Sequence, residues 1–241
     1  MSNCRYLILT NEGSHYGFKL LNNLKLIGII PCNIIVRKVT LKQNLEKFIK
    51  IAKKIGFFNT IYSTIKMQNI NSQNSKLTNW RGHSFIKIYE QLSKEVTYVD
   101  DFHSKSTIDY IQNLNVDYII LAQTGIIKKK LIDIPKLGIL NAHPGKLPDY
   151  RGLDIPWQTI LLKKFNDLGS SLHFVDKGID TGDIVEFKPF FLTNKIKFEN
   201  LEEIIYEDCI DLLSKIILDI EKSKKIIGFP QRKNEGRIKE G

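Results

Sequence analysis

Cysteine is scarce and long apolar runs are missing. Cys4, Cys32 and Cys209 are an odd three without metal-type spacing. They exclude a disulfide framework and a cysteine metal cluster, and read as reduced thiols in a cytoplasmic protein. The longest apolar stretch, Leu26 to Val36, is broken by Pro31, Cys32 and Asn33, whereas a spanning helix needs about 20 apolar residues. The N-terminal MSNCRYLILT has no apolar h-region and no small-residue cleavage site, so no secretory signal and no membrane association is expected. Arginine is scarce too, at 6 of the 36 basic residues. Base-edge readout and bidentate phosphate clamps draw on Arg rather than Lys. The formal charge of +10 therefore points to a small anionic partner, or equally to a solvated lysine-rich surface, and not to nucleic acid. There is no G-x-S-x-G elbow, and the turn after the first apolar run lacks G-x-G-x-x-G. These absences count against a serine nucleophile and against a bound dinucleotide.

What is present is an alternation of strands and helices over 241 residues, enough for one large domain with a small appendage. RYLILT (5–10), the turn NEGSHYG and FKLLNNL (18–24) form a strand–turn–helix unit. GIIPCNIIV (28–36) is a second strand, with Pro31 marking an edge or an irregular entry. LEKFIKIAKKIG (45–56) has helical periodicity, SFIKIYEQLSK (84–94) and STIDYIQNL (106–114) read as helices, and VDYIILA (116–122) as a buried strand. The Asn-, Gln- and Ser-rich stretch 63–80 reads as a loop insertion. A short helix ended by Pro135 leads into the strand GILNAH, and DIPWQTILLKKF (154–165) is a helix with Asp154 as its expected N-cap. SSLHFV (170–175) and IVEFKPFF (184–191) are strands around a tight loop, and apolar spacing from Leu201 to Ile220 sustains a helix over five turns. The expectation is an α/β fold: a Rossmann-like, mostly parallel sheet flanked by helices, antiparallel around 170–191. A catalytic domain over 1–192 would be followed by a C-terminal helix and a short strand or hairpin extension over 193–241.

The segment NAHPGKLPDYRG (141–152) carries the chemistry. Residues two apart on a strand share a face, so Asn141 and His143 look into one space where a strand ends, the usual place of clefts in open parallel sheets. His143 is a general acid or base near neutral pH. Asn141 offers an uncharged donor to a developing oxyanion. A carboxylate should orient the imidazole, and DKGIDTGDI supplies three, Asp176, Asp180 and Asp183, among which spacing alone does not choose. With no serine or cysteine placed as nucleophile, the set suits direct attack by a substrate amine on an acyl carbon.

From Val116 to Phe187 the chain resembles the folate-dependent formyltransferases. That family includes methionyl-tRNA formyltransferase, glycinamide ribonucleotide transformylase and the sugar N-formyltransferases. The motifs that carry the resemblance are NAHPGKLPDYRG, GIDTGDI and the approach ILAQTGIIKKKLIDIPKLGILN. It implies Asn141, His143 and Asp180 as the catalytic trio and 10-formyltetrahydrofolate as cosubstrate, with no metal. It places the pterin against backbone at Gln123, Gly125, Ile126 and Ile127 and near Asp176. It also places substrate phosphate at Gly13 and Ser14, where a plain turn is an equal reading, and at Arg151, which is equally suited to bracing its loop. Relatives often carry Ser where Gly145 stands here, so that hydroxyl's role would fall to backbone or water.

The resemblance leaves the acceptor amine open. The tRNA enzyme usually carries a further C-terminal domain of about a hundred residues, and the purine-pathway enzyme is usually shorter. The tail GFPQRKNEGRIK is similar to a Q-x-x-x-x-G segment of the sugar enzymes. The acceptor this implies is a nucleotide-linked amino sugar, dTDP-4-amino-4,6-dideoxyglucose, destined for surface polysaccharide such as O-antigen, with the enzyme a homodimer. Methionyl-tRNA or glycinamide ribonucleotide is the alternative acceptor, and a non-catalytic basic RNA-binding module the remote one.

Overall fold

A computed structural model describes residues 4–38, 92–193, 200–223 and 226–231, with Ile49, Tyr89, Ile196 and the backbone of Arg237 and Ile238. The loop expected over 63–80 and the helix expected over 45–56 lie outside the described residues, Ile49 apart, as does most of the helix expected over 84–94.

The elements run β1 (Tyr6–Asn11), α1 (His15–Leu26), β2 (Asn33–Arg37), β3 (Val96–Val99), α2 (Lys105–Asn113), β4 (Tyr118–Ala122) and α3 (Lys129–Ile132). They continue with β5 (Gly138–His143), β6 (Tyr150–Arg151), α4 (Ile155–Leu161), β7 (Gly169–Phe174), β8 (Ile184–Pro189), α5 (Leu201–Ser223) and β9 (Arg237–Ile238). Seven strands form one sheet in the order β3-β2-β1-β4-β5-β7-β8. Pairing is parallel from β3 to β5 and antiparallel at β5–β7 and β7–β8. This is the mostly parallel, Rossmann-like sheet expected from the alternation, with its antiparallel edge where 170–191 placed it. Pro31 lies just outside β2, and β2 is an interior strand; of the two readings of that proline, the irregular entry holds.

The near-continuous apolar runs of β1, β2 and β4 follow from burial on both faces. Tyr6, Ile8, Ile34, Val36, Ile120 and Leu140 join one core cluster, with Leu20, Leu24, Leu213 and Ile217 of α1 and α5. The alternate residues Leu7, Leu9, Ile35, Ile119 and Ile139 join the other, with Ile108 and Ile111 of α2 and Leu131 of α3. The long α5 thus packs into the sheet's own core. Among the described residues, no helix is long and apolar enough to cross a membrane.

Two local expectations need correction or completion. Asp154 is the N-cap residue of α4 as expected, but it sits in the left-handed region at φ 58° and its side chain makes no capping bond; Pro156 in the first turn helps start the helix. β3 and the two-residue strand β6, which pairs parallel with β9, were not expected from periodicity. A two-residue strand has too few side chains to show a period.

Candidate active site

The site forms where β5 and β7 lie antiparallel. Their register sets Asn141 opposite His173 and His143 opposite Ser171. Opposed residues share a face, so the N-x-H of one strand meets an S-x-H of the other. His143 and His173 are almost wholly buried, at 3% and 2% exposure. Their rings meet edge to face with centroids 6.4 Å apart.

Hydrogen bonds define each group's state. His143 Nε2 lies 3.0 Å from the Tyr150 carbonyl, which only accepts, so that nitrogen carries a proton. His143 Nδ1 lies 3.4 Å from Asp180 Oδ2. His173 Nδ1 donates to the Phe174 carbonyl at 2.7 Å, which leaves Nε2 of the neutral ring as an acceptor for Asn141 Nδ2 at 3.2 Å. The other Asp180 oxygen is 3.6 Å from His173 Nε2. Burial holds both imidazoles below their ordinary pKa; the Asp180 charge opposes this at each, and His143 adds to the lowering at His173. Both rings are therefore neutral near pH 7.

The loops that carry these groups are fastened by polar bonds. Ser171 Oγ accepts from the Leu147 N–H at 3.0 Å and donates to the Gly145 carbonyl at 2.6 Å, pinning the loop after β5. The Gly152 N–H donates to Asp180 Oδ2 at 2.9 Å. Asp180 has φ 52°, a left-handed conformation that aspartate adopts more readily than most non-glycine residues. Asp176 accepts at Oδ1 from the Gly178 N–H at 3.0 Å and from Thr181 Oγ1 at 2.6 Å, so its carboxylate closes the loop on itself. Gly145 packs against α4. A Cβ there would overlap Ile155 Cγ2 and lie 3.3 Å from His143 Nε2. The bond to Nε2 falls to the backbone, at Tyr150.

The other expected residues fall into two groups. Ser14 is the N-cap of α1, its Oγ accepting from the Gly17 N–H at 3.0 Å and donating to Gln123 Oε1 at 3.0 Å. Gly13, next to it, has φ 75° with open space where a side chain would be. Gln123 is left-handed at φ 61°, and its carbonyl accepts from Asn11 Nδ2. Gly125 also faces open space, and Ile126 is an apolar side chain 75% exposed, while Ile127 is buried in the second core cluster. An exposed aliphatic group beside bare backbone suits a flat heterocycle, so Gly125 and Ile126 leave room for a pterin, whereas the Ile127 side chain is turned into the core. Arg151 lies elsewhere: it is buried, and its Nη2 and Nε donate to Gln231 Oε1 at 2.7 and 3.3 Å. Among the described residues, no group of three or more His, Cys, Asp or Glu is arranged to hold a metal ion.

Sequence reasoning missed His173 and Ser171, and noted Gln231 only as the first residue of the tail's Q-x-x-x-x-G, not as a neighbour of the site. The S-x-H of SSLHFV was a legible signal once an antiparallel pairing with N-x-H was considered.

A family model described as formyl transferase matches residues 58–215, more than half of the chain, which therefore belongs to the formyl transferase family. The chain is 33% identical over 152 residues to a methionyl-tRNA formyltransferase of Finegoldia magna, covering 61% of this chain and 47% of that protein. It spans about half the length of the curated relatives it matches. Its fold resembles a phosphoribosylglycinamide formyltransferase from Bacillus halodurans, with TM-score 0.59 at 16% identity over 92% of this chain and 97% of that one. It also resembles a sugar N-formyltransferase from Shewanella sp. FDAARGOS_354, with TM-score 0.60 at 14% identity over 97% and 76%.

Proposed function

We propose that the protein transfers a formyl group from 10-formyltetrahydrofolate to the primary amine of a nucleotide-linked amino sugar, with Asn141, His143 and Asp180 as catalytic residues. The observation that carries the transfer is the convergence of a neutral imidazole, an amide donor and a carboxylate at one strand end, with no nucleophilic side chain among them. Bound 10-formyltetrahydrofolate would supply an activated formyl carbon, with its pterin held against the backbone of Gln123 to Ile127. Asn141 keeps one amide N–H on His173 and turns the other to the oxyanion that develops as the amine attacks; one such donor is worth about 3–4 kcal/mol. The amine proton is taken up by the His143–Asp180 pair, and the transfer is completed when the bond between the formyl carbon and N10 breaks and N10 leaves as tetrahydrofolate carrying a proton. Because Nε2–H is committed to Tyr150, the added proton resides at Nδ1, against Asp180 Oδ2. General-base help of this kind contributes about 10²–10⁴ in rate.

The sugar acceptor, dTDP-4-amino-4,6-dideoxyglucose, is supported by the tail GFPQRKNEGRIK and its likeness to the Q-x-x-x-x-G segment of sugar enzymes. The lysine-rich charge balance, which disfavours nucleic acid, supports it too. The identity to methionyl-tRNA formyltransferases favours methionyl-tRNA as the second reading. An acceptor panel separates them. The protein is incubated with 10-formyltetrahydrofolate and dTDP-amino sugars, methionyl-tRNA or glycinamide ribonucleotide, and the products are read by mass. A gain of one formyl group on a sugar supports the first reading. A gain only on methionyl-tRNA replaces it with the second, and no gain on any amine overturns the transfer itself. A homodimer, expected from the resemblance, is read in the same preparation by light scattering.

A further inference from the structure

We propose that Gln231, some fifty residues beyond the catalytic loop, is the positioning residue that holds Asp180 against His143, and that the segment 226–231 is thereby part of the active site. Its consequence for turnover rests on the formyl-transfer reading; its structural content does not.

The segment returns to the site after α5. Phe229 exchanges two backbone bonds with Ile184, at 2.8 and 2.9 Å, just after the Asp180 loop. Gly228 comes close enough to Asp183 and the Phe174 ring that a Cβ would lie 2.6 Å from Asp183 Cβ and 2.9 Å from Phe174 Cδ2. This brings Gln231 over the loop. Its Nε2 donates to the Asp180 carbonyl at 3.0 Å and the Gly182 carbonyl at 2.7 Å. Its Oε1 accepts both guanidinium bonds of Arg151.

The orientation of this amide is dictated by its partners. Arginine only donates and carbonyls only accept, so the oxygen must face Arg151 and the NH₂ must face the loop. An ionised carboxylate keeps the first contact and has no proton for the second. Asp180 sits in the left-handed region, which an aspartate adopts more readily than most residues but still at a cost, and the two bonds from Gln231 hold the loop there. The carboxylate oxygen that accepts from the Gly152 N–H is also the one nearest His143 Nδ1. Moving the loop therefore alters both contacts together.

Two variants of the full chain test the proposal. Gln231→Met removes both contacts; Gln231→Glu keeps the acceptor for Arg151 and removes the donors to the loop. Amide hydrogen exchange reads Gly152, whose proton is bonded to Asp180, against the amides of β1 and β4. Both variants should speed exchange at Gly152 at least about tenfold while the β1 and β4 amides stay at the wild-type rate. Turnover should fall by about 10- to 100-fold with the folate KM nearly unchanged, as a small misplacement of a reacting group does. Wild-type protection of Gly152 in Gln231→Glu overturns the proposal, because the residue would then act only through Arg151. Equal acceleration at β1 and β4 also overturns it, as a general loss of stability. If the wild type transfers no formyl group to any acceptor, the exchange data still decide the question.

Discussion

Replacing Gly145 by alanine should loosen the protein through a single contact. The glycine has no left-handed backbone to lose, yet the added Cβ would overlap Ile155 Cγ2 and sit 3.2 Å from Ile155 Cβ. Ile155 is 1% exposed, so it has no solvent to move into. Overpacking of this kind costs about 1–3 kcal/mol. The unfolded alanine chain has less entropy, which returns about 0.4–1 kcal/mol. Mid-range values leave a net loss of about 1.3 kcal/mol, or about 3–5 °C in Tm for a chain of this size. Ile155→Leu removes the branch at Cβ and alone should cost less than about 1.5 kcal/mol. Combined with Gly145→Ala it should recover about 1 kcal/mol relative to the sum of the two, since each change acts on the same contact. Urea unfolding of the four proteins at pH 7.5 closes the cycle. Additivity within about 0.5 kcal/mol, or a neutral Gly145→Ala, would refute the reasoning. Gly145→Ser, which carries the residue the family resemblance implies at this position, should likewise be tolerated best with Ile155→Leu.

Asn141→Ala should lower turnover by about 10²–10³ and His143→Ala by about 10²–10⁴, while calorimetric affinity for the nucleotide portion of the acceptor stays nearly constant. A large affinity loss would make these residues binders rather than catalysts. Stability should decline as pH falls below about 6.5, the unfolded histidine value. His143 and His173 are both lowered by burial, so the unfolded chain binds more protons in the window between that value and the folded ones. Urea midpoints at pH 7.5, 6 and 5 check this, and a flat or rising series would contradict it; Gln at either histidine should make the slope shallower. Gly182→Ala should be destabilising by about 1–3 kcal/mol or more, because its Cβ would overlap the Phe174 carbonyl, and its Tm should fall with the Asp180 loop. Cys209 is fully buried, with its thiol pushed up to about 12 by burial. It should react with a disulfide reagent at pH 8 only after unfolding; prompt native labelling would refute its placement.

The alternation of short apolar runs with helical periods was enough to give the parallel sheet, because each β-strand buried on both faces must be apolar throughout. The pairing of Asn141 with His143 was equally local, since strand geometry alone puts residues two apart on one face. The chain's motifs marked Asp180 through likeness, where spacing left Asp176 and Asp183 equally open. Tertiary structure decided which groups these residues meet. The β5–β7 register brought His173 and Ser171 opposite the N-x-H pair, and the return of the chain after α5 set Gln231 between Arg151 and the Asp180 loop. It also turned Arg151 inward and left Asp154 at the N-cap of α4 without a side-chain capping bond. Such contacts join residues up to eighty positions apart. Local pattern sets which face a side chain presents, but only packing of distant elements determines what that face meets.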